Sequence, residues 1–269
     1  MKVMLYIVLI FLFSIFSPAQ RNNNKSEAIT ENLILKEISK DVYLVTHSFP
    51  WSANSLLVRI NQSDFVLVDT PWDNSGTKAL VEWLRDNYEN VNLSVINTHF
   101  HRDNLGGNEY LLNEKIPIYG SDLTVELLNE REKELIDRTL NNLQNLDNKK
   151  YYDAYKTTKL KRPDNIFNIN NGLILKFGNE QVELFFPGPG HTPDNIVVYF
   201  PSKRLLFGGC MLKSLDSNLG RNSDAIFNEW SNSLNKISMK YHKAKIVVPG
   251  HGNCGNMELV THTLQLLKR

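Results

Sequence analysis

Cysteine is scarce in this chain: Cys210 and Cys254 are the only two in 269 residues, too few for a framework of several disulfides. No GxGxxG segment and no P-loop is present, so the spacing gives no support to a doubly wound sheet built around a nucleotide loop. Neither sign of charge dominates. Lys and Arg number 30 against 29 Asp and Glu, and the densest basic groups are only Lys149-Lys150 and Lys159-Lys161-Arg162. That balance removes the usual argument for a nucleic-acid partner, and none is expected. Beyond the first 19 residues, no apolar run is long enough to span a bilayer.

What the chain does have begins at its start. Residues 1–19 have the form of a cleavable export signal: Lys2, an almost unbroken apolar stretch from Met4 to Phe16, and the small-residue exit Ser17-Pro18-Ala19-Gln20. The alternative is a membrane anchor, but the run is short and is followed by polar Arg21-Asn22-Asn23-Asn24-Lys25. No cysteine stands at the exit to carry a lipid, so no stable membrane anchor is expected. Residues 20–33 read as a flexible mature start. Residues 34–267 read as one domain, within a mature chain of about 250 residues that can bury a large core as a monomer.

Short apolar or alternating runs predict strands at 33–38, 42–45, 55–60, 65–68, 91–96 and 117–119, with several more after Ile166. Helices are expected at about 76–88, with Leu80, Val81 and Leu84 as its stripe, then at 103–113, from Asp122 to about Leu146, near 225–240 and at 256–267. The class is α/β.

The most informative segment is Thr98-His99-Phe100-His101-Arg102-Asp103-Asn104-Leu105-Gly106-Gly107, directly after the apolar Val95-Ile96-Asn97. Alternate residues of an extended segment share a face, so His99 and His101 can approach one cation. Asp103, on the turn beyond, can reach a second. Ordinary polar loop residues would be the bland reading, but three further strand endings repeat the pattern. His191 follows Pro187-Gly188-Pro189-Gly190, Cys210 follows Gly208-Gly209, and His251 follows Pro249-Gly250. Together they supply N, O and S ligands enough for two zinc ions. Two cysteines in an exported protein ordinarily suggest a disulfide. The company of Cys210 favours a zinc thiolate instead, while Cys254, three residues after His251, is placed to compete by oxidation.

With these motifs in view, the chain resembles the metallo-β-lactamase superfamily, and most closely the B1 subclass of zinc β-lactamases, over residues 34–267. The likeness lies in Leu67-Val68-Asp69-Thr70-Pro71-Trp72, the His99 to Asp103 motif, Pro187 to Asn195, Phe207 to Lys213 and Val248 to Gly252. It implies a four-layer αββα sandwich with a metal site along one edge of the paired sheets. It also implies His99, His101 and His191 as a three-imidazole zinc site, with Asp103, Cys210 and His251 as its neighbour. Asp103 would be ligand and hydroxide orienter, Lys213 the partner of a substrate carboxylate, and Asp69 a buried organiser of the ligand loops.

The implied activity is hydrolysis of the β-lactam amide in penicillins, cephalosporins or carbapenems, giving antibiotic resistance from the periplasm. An exported dinuclear-zinc hydrolase of another ester, lactone or amide is the alternative, as is a nonenzymatic zinc-binding module. A thioester hydrolase of the glyoxalase type is disfavoured, because Cys210 stands where that branch generally has a bridging carboxylate. Two departures from the resemblance bear on substrate grip. Arg221 stands where the subclass often has asparagine, and the 46–54 segment is shorter than the usual loop over the site. Trp72, Phe49 and Trp51 would line or cover the pocket, or else complete the core.

Overall fold

The computed structural model describes residues 26–144 and 149–268; the expected export signal lies outside them. Eight strands form the first sheet in chain order: β1 (Ser26–Thr30), β2 (Leu33–Ser39), β3 (Val42–Ser48), β4 (Ser52–Arg59), β5 (Asp64–Val68), β6 (Asn92–Ile96), β7 (Ile118–Ser121) and β8 (Asn165–Phe167). Pairing is antiparallel as far as β5 and parallel from there to β8. Parallel neighbours need long crossovers, and helices supply them. α1 (Asn74–Asn87) joins β5 to β6; α2 (Arg102–Leu105) and α3 (Asn108–Asn113) lead from β6 to β7; α4 (Asp122–Gln144) and α5 (Lys149–Thr157) lie between β7 and β8. The second sheet is β9 (Leu173–Phe177), β10 (Glu180–Phe185), β11 (Val197–Phe200), β12 (Leu205–Gly209) and β13 (Ile246–Pro249). α6 (Phe227–Lys240) crosses between its parallel pair β12 and β13, and α7 (Glu258–Leu266) ends the fold.

Alternation along the strands builds the layers. β5 sends Val66 and Val68 to one face, where they meet Leu56 and Val58 of β4 and Val182, Val198, Phe207 and Val248 of the second sheet. Its Phe65 and Leu67 face the other way, onto Leu80, Val81 and Leu84 of α1. Leu206 and Val247 likewise turn outward onto Trp230, Leu234 and Ile237 of α6 and Leu259 and Val260 of α7. Helix, sheet, sheet, helix is the resulting order, the expected four-layer αββα sandwich. Among the described residues no helix is long and apolar enough to cross a membrane.

Local chemistry sets the element ends. Asp73 caps α1 by accepting from Gly76 N at 2.7 Å, and Ser121 Oγ accepts from Thr124 N at 3.0 Å at the start of α4. Two expectations need correction. The single helix expected over 103–113 is two short ones, because the Gly106-Gly107 junction passes hard against its surroundings. A Cβ on Gly106 would sit 1.9 Å from the Trp72 carbonyl oxygen. The start expected to be flexible is ordered from Ser26: β1 pairs with β2, Ile29 packs beside the α1 layer, and Glu27 accepts from Trp83 Nε1 at 3.1 Å. Its polar composition conceals an edge strand whose ladder is made by backbone, not side chains.

Candidate metal centre

The six candidate ligands all sit just past strand ends, on one edge of the two sheets. The turn after β6 carries His99, His101 and Asp103; the segment after β10 carries His191; Cys210 and His251 follow β12 and β13. Because β12 and β13 are parallel, their two turns lie side by side, and Gly250 N donates to the Gly209 carbonyl at 2.7 Å. A Cβ on Gly250 would lie 2.6 Å from Cys210 Sγ, so glycine is what allows the two ligand turns to approach. Asn54 of β4 fastens the His251 turn across the sheets, its Nδ2 donating to the carbonyls of Pro249 (3.0 Å) and Gly252 (2.8 Å).

The side chains converge. Ring centroids of His99 and His101 are 4.9 Å apart, those of His101 and His191 5.1 Å, and those of His99 and His191 5.6 Å, all steeply inclined. Asp103 Oδ2 is 3.1 Å from His251 Nε2 and 3.8 Å from Cys210 Sγ. Ligand atoms of three overlapping groups, His99/His191/Cys210, His99/His101/Asp103 and Asp103/Cys210/His251, each lie within 4.8 Å of one another.

Hydrogen bonds behind the rings select which nitrogen faces the centre. Asp224 Oδ2 can only accept, so His101 Nε2, 2.7 Å away, carries the hydrogen and leaves the Nδ1 lone pair free. The Ser52 carbonyl does the same for His251 Nδ1 at 2.6 Å, leaving Nε2. His99 Nδ1 lies 3.0 Å from Thr98 Oγ1, which donates at 2.8 Å to Asp69 Oδ2; Asp69 Oδ1 also accepts from Thr98 N at 2.8 Å. Asp69 is wholly buried, with a left-handed backbone (φ 58°) immediately after β5, and its two carboxylate oxygens hold Thr98, the residue before His99.

Electrostatics match a dication. Burial, then the neighbouring His101, keeps His99 well below its ordinary pKa, and burial with Lys213 does so for His191, so both rings are neutral donors. Burial alone would raise Asp103; the hydrogen bond and charge of His251 outweigh it and hold the carboxyl well below its usual range. Burial pushes the Cys210 thiol up, and a bound cation is the kind of charge that releases such a proton. His191 Nδ1 is buried without a hydrogen-bond partner. Neutral imidazoles, one carboxylate and one thiol in reach of each other fit zinc.

A cleft of about 340 Å³ opens over this cluster, and Trp51, Trp72, Lys213 and Arg221 are among its walls. Lys213 is buried, 7% exposed, with Nζ 5.5 Å from the Trp230 ring and no hydrogen-bond partner among the described residues. Arg221 is exposed farther along the same irregular segment that carries Lys213, and it makes no ion pair among the described residues. Trp51 and Trp72 pack with centroids 6.0 Å apart. Of the two roles open to Phe49, its contacts are those of core packing. It lies under the wall, edge-on to Tyr151 at 4.7 Å and tilted on Tyr155 at 5.6 Å, because α5 brings an aromatic cluster beneath the β3–β4 turn. Sequence reasoning singled out neither Tyr155 nor Asp224, nor the Arg131 and Arg138 that pair with Asp224. The only sequence signal for the arginines was their seven-residue spacing, which puts both on one face of α4.

The comparisons agree with the geometry. The metallo-beta-lactamase superfamily model matches residues 49–251. A type 2 metallo-beta-lactamase of Bacillus sp. (strain 170) is 34% identical over 95% of this chain and 91% of its own. One of Bacillus cereus is 35% identical over 89% of this chain and 84% of its own. Among solved structures, a metallo-beta-lactamase from Pontibacter korlensis superposes with a TM-score of 0.74 at 32% identity, covering 88% of this chain and 99% of that one. Fold, ligand cluster and sequence likeness over most of its length agree: the chain belongs to the metallo-beta-lactamase superfamily, alongside the type 2 enzymes.

Proposed function

We propose that the protein is a zinc-dependent hydrolase of the β-lactam amide bond, acting on penicillins, cephalosporins or carbapenems and thereby conferring antibiotic resistance. The observation that carries this reading is the convergence of six ligands, dispersed from His99 to His251, beneath a cleft with a buried lysine whose Nζ has no hydrogen-bond partner among the described residues. His99, His101 and His191 would hold one zinc ion, and Asp103, Cys210 and His251 a second. When bound, zinc supplies a Lewis acid for the amide carbonyl and a water of lowered pKa.

The chain's own residues do the rest. Asp103, held ionised, orients the attacking water as well as serving as ligand. Lys213 offers its ammonium to the carboxylate that these antibiotics carry beside the ring, in a site where water competes little. Arg221, also in the cleft wall, is a second cation for the same carboxylate or the carbonyl oxygen. Trp51 and Trp72 give the apolar side groups a wall. Asp69, through Thr98, and Asp224 fix the imidazoles. The export-signal form of residues 1–19 supports a periplasmic location, where these antibiotics meet their targets, and a monomer suffices because one chain holds the whole site.

Purified, zinc-loaded protein should open β-lactam rings in a spectrophotometric panel of the three classes, lose turnover to EDTA and regain it with zinc. Rapid hydrolysis of a control lactone or thioester by fully metallated protein that opens no β-lactam would overturn the assignment.

A further inference from the structure

Asp224 does more than touch His101. Its carboxylate is 1% exposed at the side chain, and three groups converge on it: His101 Nε2 at 2.7 Å on Oδ2, Arg138 Nη2 at 2.8 Å on Oδ2 and Arg131 Nη2 at 2.5 Å on Oδ1. Both guanidinium groups come from α4, two helical turns apart, and each is anchored a second time. Arg131 Nε donates to Glu134 at 3.0 Å and its guanidinium stands 5.2 Å from the Phe100 ring centre; Arg138 Nη1 donates to Ser223 Oγ at 3.0 Å. The carboxylate is therefore gripped from the helix side while its remaining direction faces the imidazole.

We propose that Arg131 and Arg138 are positioning residues of the metal centre: a two-arginine clamp on α4 that sets Asp224, and through it the orientation and tautomer of His101. The inference rests on the zinc-site reading above. The physical argument is geometric. Asp224 lies on the irregular 210–226 segment, which has no strand or helix to fix a side chain to the precision a ligand needs. α4 is a 23-residue helix whose Leu128 and Leu135 are buried against Phe100, the residue between the two histidines. Rigid helix, paired guanidiniums, carboxylate and imidazole thus form one chain of contacts. A carboxylate behind a ligand histidine ordinarily raises the ring's donor strength. Sharing that charge with two cations moderates the effect, so the clamp fixes the direction of the ring without handing it the full charge of a lone carboxylate. Arg is required for this, because a lysine ammonium lacks the planar fork that reaches Asp224 and a second acceptor together.

The test uses the full mature protein, stripped of metal and titrated with zinc against a chelator of known affinity. The variants are Arg131→Ala, Arg138→Ala, the double change and the single Arg→Lys changes. Lys133→Ala, which lies on the same helix but pairs with Asp137, is the control. Each alanine change should weaken the three-imidazole zinc site about tenfold and the double change up to about 100-fold, while Lys133→Ala leaves it unchanged. In metal-free protein, two-dimensional nitrogen NMR of the His101 ring should show a single Nε2–H tautomer in wild type and a mixture in the alanine variants. Lysine at either position should restore folding but only part of the affinity, which keeps the test decisive if the double variant fails to fold. Folded variants with wild-type zinc affinity and an unchanged His101 tautomer would overturn the clamp. Failure of the wild-type chain to bind zinc would instead sink the metal-site reading itself.

Discussion

Lys213 is the sharpest test of how the cleft reads its substrate. The side chain is 7% exposed, burial lowers its pKa against the opposing pull of Cys210 and Asp103, and among the described residues its Nζ makes no hydrogen bond and stands 5.5 Å from the Trp230 ring. A buried ammonium without a partner is costly to keep, and an incoming carboxylate turns that cost into binding. Replacing it by methionine retains an apolar stem against Trp230 and removes only the charge. One charge-assisted contact contributes about 1.5–3 kcal/mol, or roughly 10- to 100-fold in kcat/KM if it is fully expressed in the transition state. The decisive assay is a cycle with two substrates, a β-lactam and its methyl ester, on wild type and Lys213→Met. The variant should lose its 10- to 100-fold on the acid and almost nothing on the ester, so that the two changes are strongly non-additive. Equal loss on both substrates would refute carboxylate recognition and leave Lys213 a structural residue. The metal-free Lys213→Met protein should also unfold at a higher temperature than wild type, since the desolvation cost is gone.

Cys210→Ser should abolish the thiolate band of the cobalt-substituted protein and weaken the second metal site far more than the first, whereas Cys254→Ser should change neither; metal titration with absorption spectroscopy reads both. Asp194, fully buried and pushed up to about 6 by that burial despite the opposing hydrogen bonds donated by Thr124 and Thr192, binds its proton more tightly in the folded chain than in the unfolded one. Relative to Asp194→Asn, metal-free wild type should therefore lose up to about 3 kcal/mol of stability as pH rises from 4 to above 6, measured by denaturant unfolding; a flat difference would reject the shift. Tyr155→Phe removes the hydroxyl that donates to the Phe49 carbonyl beneath the cleft wall. It should cost about 1 kcal/mol of stability, speed amide exchange at 48–54 and raise KM severalfold with kcat nearly unchanged, whereas an unaltered KM would separate Phe49 from the wall.

The layers of the fold were legible because period-2 and period-3.6 patterns are local. The Val66/Val68 and Phe65/Leu67 alternation declares a strand with two covered faces, and Leu80, Val81 and Leu84 declare the helix that covers one of them. β1 escaped because an edge strand of Ser, Glu, Ala, Ile and Thr buries almost nothing, so its order comes from a backbone ladder with no signature in hydropathy. The break between α2 and α3 escaped for a related reason. The clash that Gly106 avoids is with the Trp72 carbonyl, 34 positions away in sequence.

The site divides along the same line. Ligands such as His99, Cys210 and His251 follow strand ends and glycine turns, and sequence announces such places. The residues that aim them are fixed by contacts of long separation: Asn54 to Pro249 and Gly252, Ser52 to His251, Arg131 to Asp224. A lone Asn or Arg carries no mark of the partner it will meet, and only the fold assigns one. Phe49 shows the converse. Its place beside Trp51 on a loop near the site left substrate and core both open, and the aromatic shelf of Tyr151 and Tyr155 on α5 seats it in the packing. Ligand identity is thus a property of short segments, whereas ligand direction is a property of the folded chain. Direction decides which imidazole nitrogen keeps its lone pair, and so how the centre binds its metal.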